Sequence, residues 1–111
     1  MKRVPYKRGE QTFEPKNVLY LIGESNYSYV HLADGDVILS CRNLKWFADQ
    51  WPTFVRLHKG ALINVKYIQR YERSDVANRA NYIVMSDDAY LPIARRRVPE
   101  VLGVLAQMNL V

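Results

Sequence analysis

The densest chemistry in the sequence is cationic. Arg95-Arg96-Arg97 sets three guanidinium groups side by side, and each offers planar donors that fork onto phosphate oxygens or onto a guanine edge. His58-Lys59, next to Gly60, adds two more nitrogen-bearing side chains, and Asn26-Tyr27-Ser28 supplies an amide, a phenol and a hydroxyl shortly after Gly23-Glu24-Ser25. Polar loops often serve solvation alone, and for residues 26–28 taken by themselves that is the better reading. For the arginine run it meets an obstacle. Three cations at the start of a helix oppose its dipole by ~0.3–1 kcal/mol each at exposed sites, so the placement makes most sense beside an anion.

Catalytic groupings are harder to assemble. The two histidines, His31 and His58, fall short of a three-histidine metal site, and neither stands at a ligand spacing from Cys41. His31 with Asp34 and Asp36 straddles a hairpin turn whose own chemistry accounts for the aspartates. Cys41 lies in an apolar strand pattern, where a free thiol packs as a small hydrophobe. Asp87 and Asp88 are neighbours at a turn, so their carboxylates diverge instead of sharing a substrate. With no glycine-rich phosphate loop, the residues predict a binding protein and no enzyme, with no cofactor, no metal and no small-molecule substrate.

The elements that must position these side chains are mostly strands. Val18 to Ile22 is a β-rich run ended by Gly23, and Tyr27 to Ala33 alternates, with Val30 and Leu32 on one face and Tyr27, Tyr29 and His31 on the other. Asp34-Gly35 predicts a type I′ turn into a strand over 36–41. Asn43 caps a short helix carrying Leu44, Phe47, Ala48 and Trp51 at helical spacing, and Pro52 stops it. Phe54 to Leu57 and Ala61 to Val65 read as strands, which puts His58 and Lys59 on a loop or strand end. Tyr67 to Glu72 is expected to pair with Tyr82 to Ser86 across the polar segment 73–81. Tyr90 to Ile93 follows, where Pro92 suits an edge. Val98, Val101, Leu102, Leu105 and Met108 predict an amphipathic C-terminal helix with Pro99 in its first turn.

A chain of 111 residues, 49% hydrophobic and 24% charged, holds one folded domain. Residues 1–16 are basic, carry Pro5 and Pro15 and lack periodicity, so they read as an arm or linker before a domain over 17–111. The net charge of +5 favours polyanionic partners such as nucleic acid or an acidic membrane surface. No stretch approaches the ~18 consecutive apolar residues that span a bilayer. The opening residues lack the apolar core of a secretory signal, and with a single cysteine the chain is expected in a reducing cytoplasm.

Phe54-Val55-Arg56-Leu57-His58-Lys59-Gly60, followed by apolar residues, Asn64 and Ile68, resembles the signature stretch of the LytTR family of bacterial DNA-binding domains. Leu91-Pro92-Ile93-Ala94-Arg95-Arg96 is similar to that family's second signature, and residues 24–35 with Asn43-Leu44 resemble its N-terminal hairpin and short helix. The resemblance spans Val18 to about Leu105. It implies an elongated, mainly β, multi-stranded fold with a short central helix and a C-terminal helix. It also implies a transcription regulator of the response-regulator kind whose loops enter successive major grooves of double-stranded DNA, binding as pairs to direct repeats. Its base-contacting segments correspond to the neighbourhood of Tyr27, to His58 and Lys59, and to Arg95 and Arg96. Arg56 and Asn64 match signature residues that serve structure as much as contact. Ala94 and Gly60 each stand where the family commonly has serine, and Pro99 falls unexpectedly near a helix start. Sixteen leading residues are too few for the phospho-receiver domain that many relatives carry.

Two other readings compete. A small β-barrel binding single-stranded nucleic acid would stack bases on exposed tyrosines such as Tyr27, Tyr29 and Tyr82, which an aromatic content of 12% permits. A protein-interaction module would dock an acidic partner on the basic face.

Overall fold

The computed structural model describes residues 13–73 and 80–110. Among them the chain forms strands β1 (Val18–Glu24), β2 (Tyr27–Leu32) and β3 (Val37–Ser40), helix α1 (Leu44–Gln50), and strands β4 (Val55–His58), β5 (Ala61–Ile63), β6 (Ile68–Arg73), β7 (Asn81–Met85) and β8 (Tyr90–Pro92). Helix α2 (Val98–Gln107) closes the order. The strands make two antiparallel sheets, β3-β2-β1-β5-β4 and β6-β7-β8. This is the mainly β architecture expected, with principal extents of 43 × 31 × 25 Å. Among the described residues both sheets stay open at their edges and form no barrel.

The middle strands of the larger sheet, β1 and β5, are buried on both faces, which explains why Val18 to Ile22 reads as a continuous apolar run without alternation. Val18 and Leu21 enter a core with Val30, Leu44, Phe47 and Leu62, beneath α1. Leu19 and Tyr20 enter a second core with Ile63, Ile83, Leu91, Val101 and Leu105, shared with the smaller sheet and α2. Two consecutive side chains serve this one core because the β1–β2 register shifts between Val18 and Tyr20, a bulge that inserts Leu19. Tyr20 also ties the two sheets together. Its hydroxyl donates to Asp87 Oδ2 at 2.8 Å, and its ring stacks on His31 at 4.4 Å.

Helix α1 begins as the sequence predicts, with the Asn43 side chain accepting the Trp46 N–H at 2.9 Å. Leu44 and Phe47 face inward. The helix approaches β1 closely because Gly23 has no side chain; a Cβ there would stand 2.8 Å from Leu44 Cγ. Asn64, buried, ends the β5 segment one residue beyond the strand. It donates to the carbonyls of Pro15 and Val18 at 3.2 and 3.0 Å and accepts the Lys66 N–H at 3.0 Å, holding the N-terminal approach to β1 against the β5–β6 connection.

Several local expectations need correction. The β2–β3 turn is not type I′: Gly35 has φ +96°, but Asp34 keeps a negative φ, and the Gly35 N–H donates to Leu32 O at 3.0 Å. This is the three-residue loop with glycine in the left-handed position, and Asp34 Oδ1 secures it by accepting the Asp36 N–H. β3 stops at Ser40, so Cys41 is exposed and not a packed core thiol. β5 ends at Ile63, two residues early. Asp87 is an inter-sheet acceptor as well as a turn residue.

Pro92 lies on the edge strand β8 and α2 buries Val101 and Leu105, both as expected. Residues 1–12 of the expected arm and 74–79 of the expected polar connection lie outside the described residues. Phe13, within the expected arm, stacks on Phe47 at 6.2 Å and meets Trp51 edge-on at 6.0 Å.

Candidate nucleic-acid interface

The β4–β5 turn is organised by Arg56. Its Nε donates to His58 O at 3.2 Å and its Nη2 to Lys59 O at 2.9 Å, so one guanidinium ties down two consecutive carbonyls. Within the turn His58 Nδ1 accepts the Gly60 N–H at 3.0 Å. A nitrogen that accepts carries no proton, so the neutral ring bears its hydrogen on Nε2, where it serves as a donor. Burial, and then the Arg56 charge, push the His58 pKa below its ordinary 6.5 and hold this neutral form. Lys59 is exposed.

Two backbone bonds string the three sequence-predicted segments together. The Gly23 N–H donates to Gly60 O at 2.9 Å, joining the end of the β1–β2 hairpin to the β4–β5 turn. The Ala94 N–H donates to Leu57 O at 2.8 Å, which hangs the arginine run from the start of that same turn. Arg95–Arg97 form a 3-10 turn leading directly into α2. Arg95 and Arg96 are exposed, whereas Arg97 is half-buried and meets Glu100 at 3.5 Å. Glu100 therefore supplies part of the anion that the cationic helix start calls for. Burial, and then the charge of nearby Arg97, lower the proton affinity of Arg56.

In the first segment the structure separates the three residues. Asn26 is exposed in the hairpin turn and Tyr27 is 50% exposed. Ser28 is fully buried, and its hydroxyl donates to Arg42 O at 2.8 Å, so as a ligand contact it is corrected to a structural residue. Its parity with Val30 in the alternating strand carried that signal. Tyr27, Tyr29 and Tyr82 do not gather into a stacking platform: the first two lie on β2, and Tyr82 lies in the other sheet, edge-on to Tyr90 at 6.1 Å.

One cation escaped the sequence reading. Lys45, at the second position of α1, lines a groove of about 330 Å³ together with Arg56 and Lys59. Its position two residues after the Asn43 cap was legible; the packing of α1 against the end of β1 was not.

Two open antiparallel sheets, with three polar or basic segments linked in series by backbone bonds, define a mainly β domain with a cationic face. The family model of the LytTr DNA-binding domain matches residues 11–106, and the chain belongs to that family. The chain is 27% identical over 103 residues to the positive alginate biosynthesis regulatory protein of Pseudomonas aeruginosa, covering 92% of this chain and 41% of that protein. It thus spans about two fifths of the length of this curated relative. A LytTr DNA-binding domain from Bacillus cereus superposes with a TM-score of 0.67 at 18% identity, covering 81% of this chain and 82% of the other. No helix among the described residues is long and apolar enough to cross a membrane.

Proposed function

We propose that this domain binds double-stranded DNA sequence-specifically as a bacterial transcription regulator of the response-regulator kind, working in the cytoplasm. Its turns read the major grooves of repeated sites, and two copies pair on those repeats. Phosphate neutralisation supplies affinity and turn side chains supply selectivity. Asn26 and Tyr27 act from the first turn, Lys59 and the His58 Nε2–H from the second, and Arg95 and Arg96 from the third. Arg56, Arg97 and Ser28 hold these turns in place.

The observation that carries this reading is the pair of backbone bonds, Gly23 to Gly60 and Ala94 to Leu57, that sets three polar or basic turns in series. Elements joined in this way meet a long ligand together. Single-stranded binding by tyrosine stacking draws no support, since the tyrosines it needs lie in different sheets.

Selection from a randomised duplex pool at near-physiological salt tests the proposal. Enrichment of two short repeats, roughly one or two helical turns apart, is the expected result. Retention without enrichment overturns sequence specificity, and enrichment of single sites overturns the pairing. Arg96→Ala is expected to cost about 1–3 kcal/mol of affinity and to relax one position of the site, read by repeating the selection with the variant. Unchanged affinity and preference would remove Arg96 from the reading surface.

A further inference from the structure

We infer that the groove between the β1–β2 turn, the start of α1 and the β4–β5 turn seats a backbone phosphodiester of the bound duplex, with Lys45 as its outer cation. This inference rests on the DNA-binding reading above and adds a site and a residue to it. The groove, about 330 Å³, is lined on its apolar side by Gly23, Leu44 and Gly60. Two of these have no side chain, so backbone and a buried leucine form a narrow surface that a compact group can approach.

Every polar side chain lining the groove can donate. Lys45, Lys59 and Arg56 bring three positive charges, and Ser25 and Asn43 bring a hydroxyl and an amide. The Asn43 carbonyl is already occupied by the Trp46 N–H, which leaves its NH₂ as the part available to a ligand. Among the described residues no carboxylate lines the groove. A cavity with three cations and no acid fits a group that only accepts and carries negative charge, which is the chemistry of a phosphodiester. A base edge, which mixes donors and acceptors, would leave its donors unmatched there.

Among the described residues Lys45 has one competitor. Asp49 meets it at 3.1 Å one turn along α1, with both side chains more than half exposed. Water screens such a pair, so a phosphate can displace the carboxylate from the ammonium. The groove also adjoins the His58-Lys59 turn through Gly60, so a strand seated in it would run past the proposed reading side chains.

Binding of a selected duplex across a salt series, for the wild type, Lys45→Gln and Asp49→Asn, tests the seat. Lys45→Gln should lower the slope of log K against log salt by about 0.9, so that between about 50 and 200 mM salt it loses roughly threefold less affinity than the wild type. The enriched sequence should not change. Asp49→Asn breaks the same ion pair but keeps the cation, and should leave the slope equal or steeper. An unchanged slope for Lys45→Gln, with normal specific binding by the wild type, overturns the seat and leaves the DNA reading standing. If amide resonances of Ser25 and Lys59 then shift on titration with inorganic phosphate, the groove belongs to a free anion. A wild type that binds no duplex overturns both.

Discussion

Arg56 and His58 show how a short turn converts side-chain chemistry into backbone order. Arg56 donates to both carbonyls of the His58-Lys59 pair, and His58 Nδ1 takes the next amide, so the turn is bonded on both of its faces. A pH dependence follows. The folded state holds His58 neutral, with a pKa below 6.5, because burial and Arg56 disfavour the cation. The unfolded chain protonates it first as pH falls, so it binds more protons than the folded chain and the fold loses stability. Stability from this residue is therefore complete above about pH 6.5 and declines as pH falls through the lower, folded value. Urea unfolding from about pH 7.5 to about pH 5 should show a larger loss for the wild type than for His58→Gln. Equal losses would contradict the turn geometry. At this scale the sequence announced the residue types well. It did not announce that the Arg56 guanidinium would be spent on carbonyls, because that depends on how tightly the turn folds back.

Elements were legible wherever a local rule governs them. Asn43 starts a helix because its side chain reaches a free N–H three residues on, and Pro92 finds an edge because it cannot donate. Their ends were less so. Ser40 stops β3 and Ile63 stops β5 before the apolar letters run out, and the β2–β3 turn takes a three-residue form although Asp-Gly suits the two-residue one equally well in sequence. Gly23 is the element-scale residue that matters most, because it sets the distance from α1 to β1. Gly23→Ala places a methyl 2.8 Å from Leu44 Cγ, and displacing the helix should cost about 1–3 kcal/mol, measured by denaturant midpoint. In Gly23→Ala/Leu44→Ala the clash is gone, so the double variant should lose less than the sum of the two single ones. Strict additivity would show that the contact is absent.

Across the whole molecule, the two sheets communicate through a contact that no local pattern encodes. Tyr20 and Asp87 are separated by 67 residues, yet the phenol donates to the carboxylate across the junction. Burial above all, then the bond to Asp87 and its charge, hold the Tyr20 hydroxyl protonated well above its ordinary range. A double-mutant cycle with Tyr20→Phe and Asp87→Ala should return a coupling of about 0.5–1.5 kcal/mol, discounted for the exposure of the aspartate. A coupling of zero would mean that this bond adds nothing to the junction between the sheets. The mainly β class, the order of elements and the three candidate segments are legible in the sequence alone. Which of their side chains face outward, and that Lys45 joins them, came from the way the sheet is enclosed between two cores.

The bond from the Ala94 N–H to Leu57 O has a consequence in time as well as in space. A single proton spans two of the proposed reading segments, so it exchanges with solvent deuterium only when one of them lets go of the other. Its exchange rate is thus a direct gauge of how often the surface comes apart. A cognate duplex gripping both segments should slow that one amide more than amides in the smaller sheet, giving a single-atom report of whether the turns act as a unit.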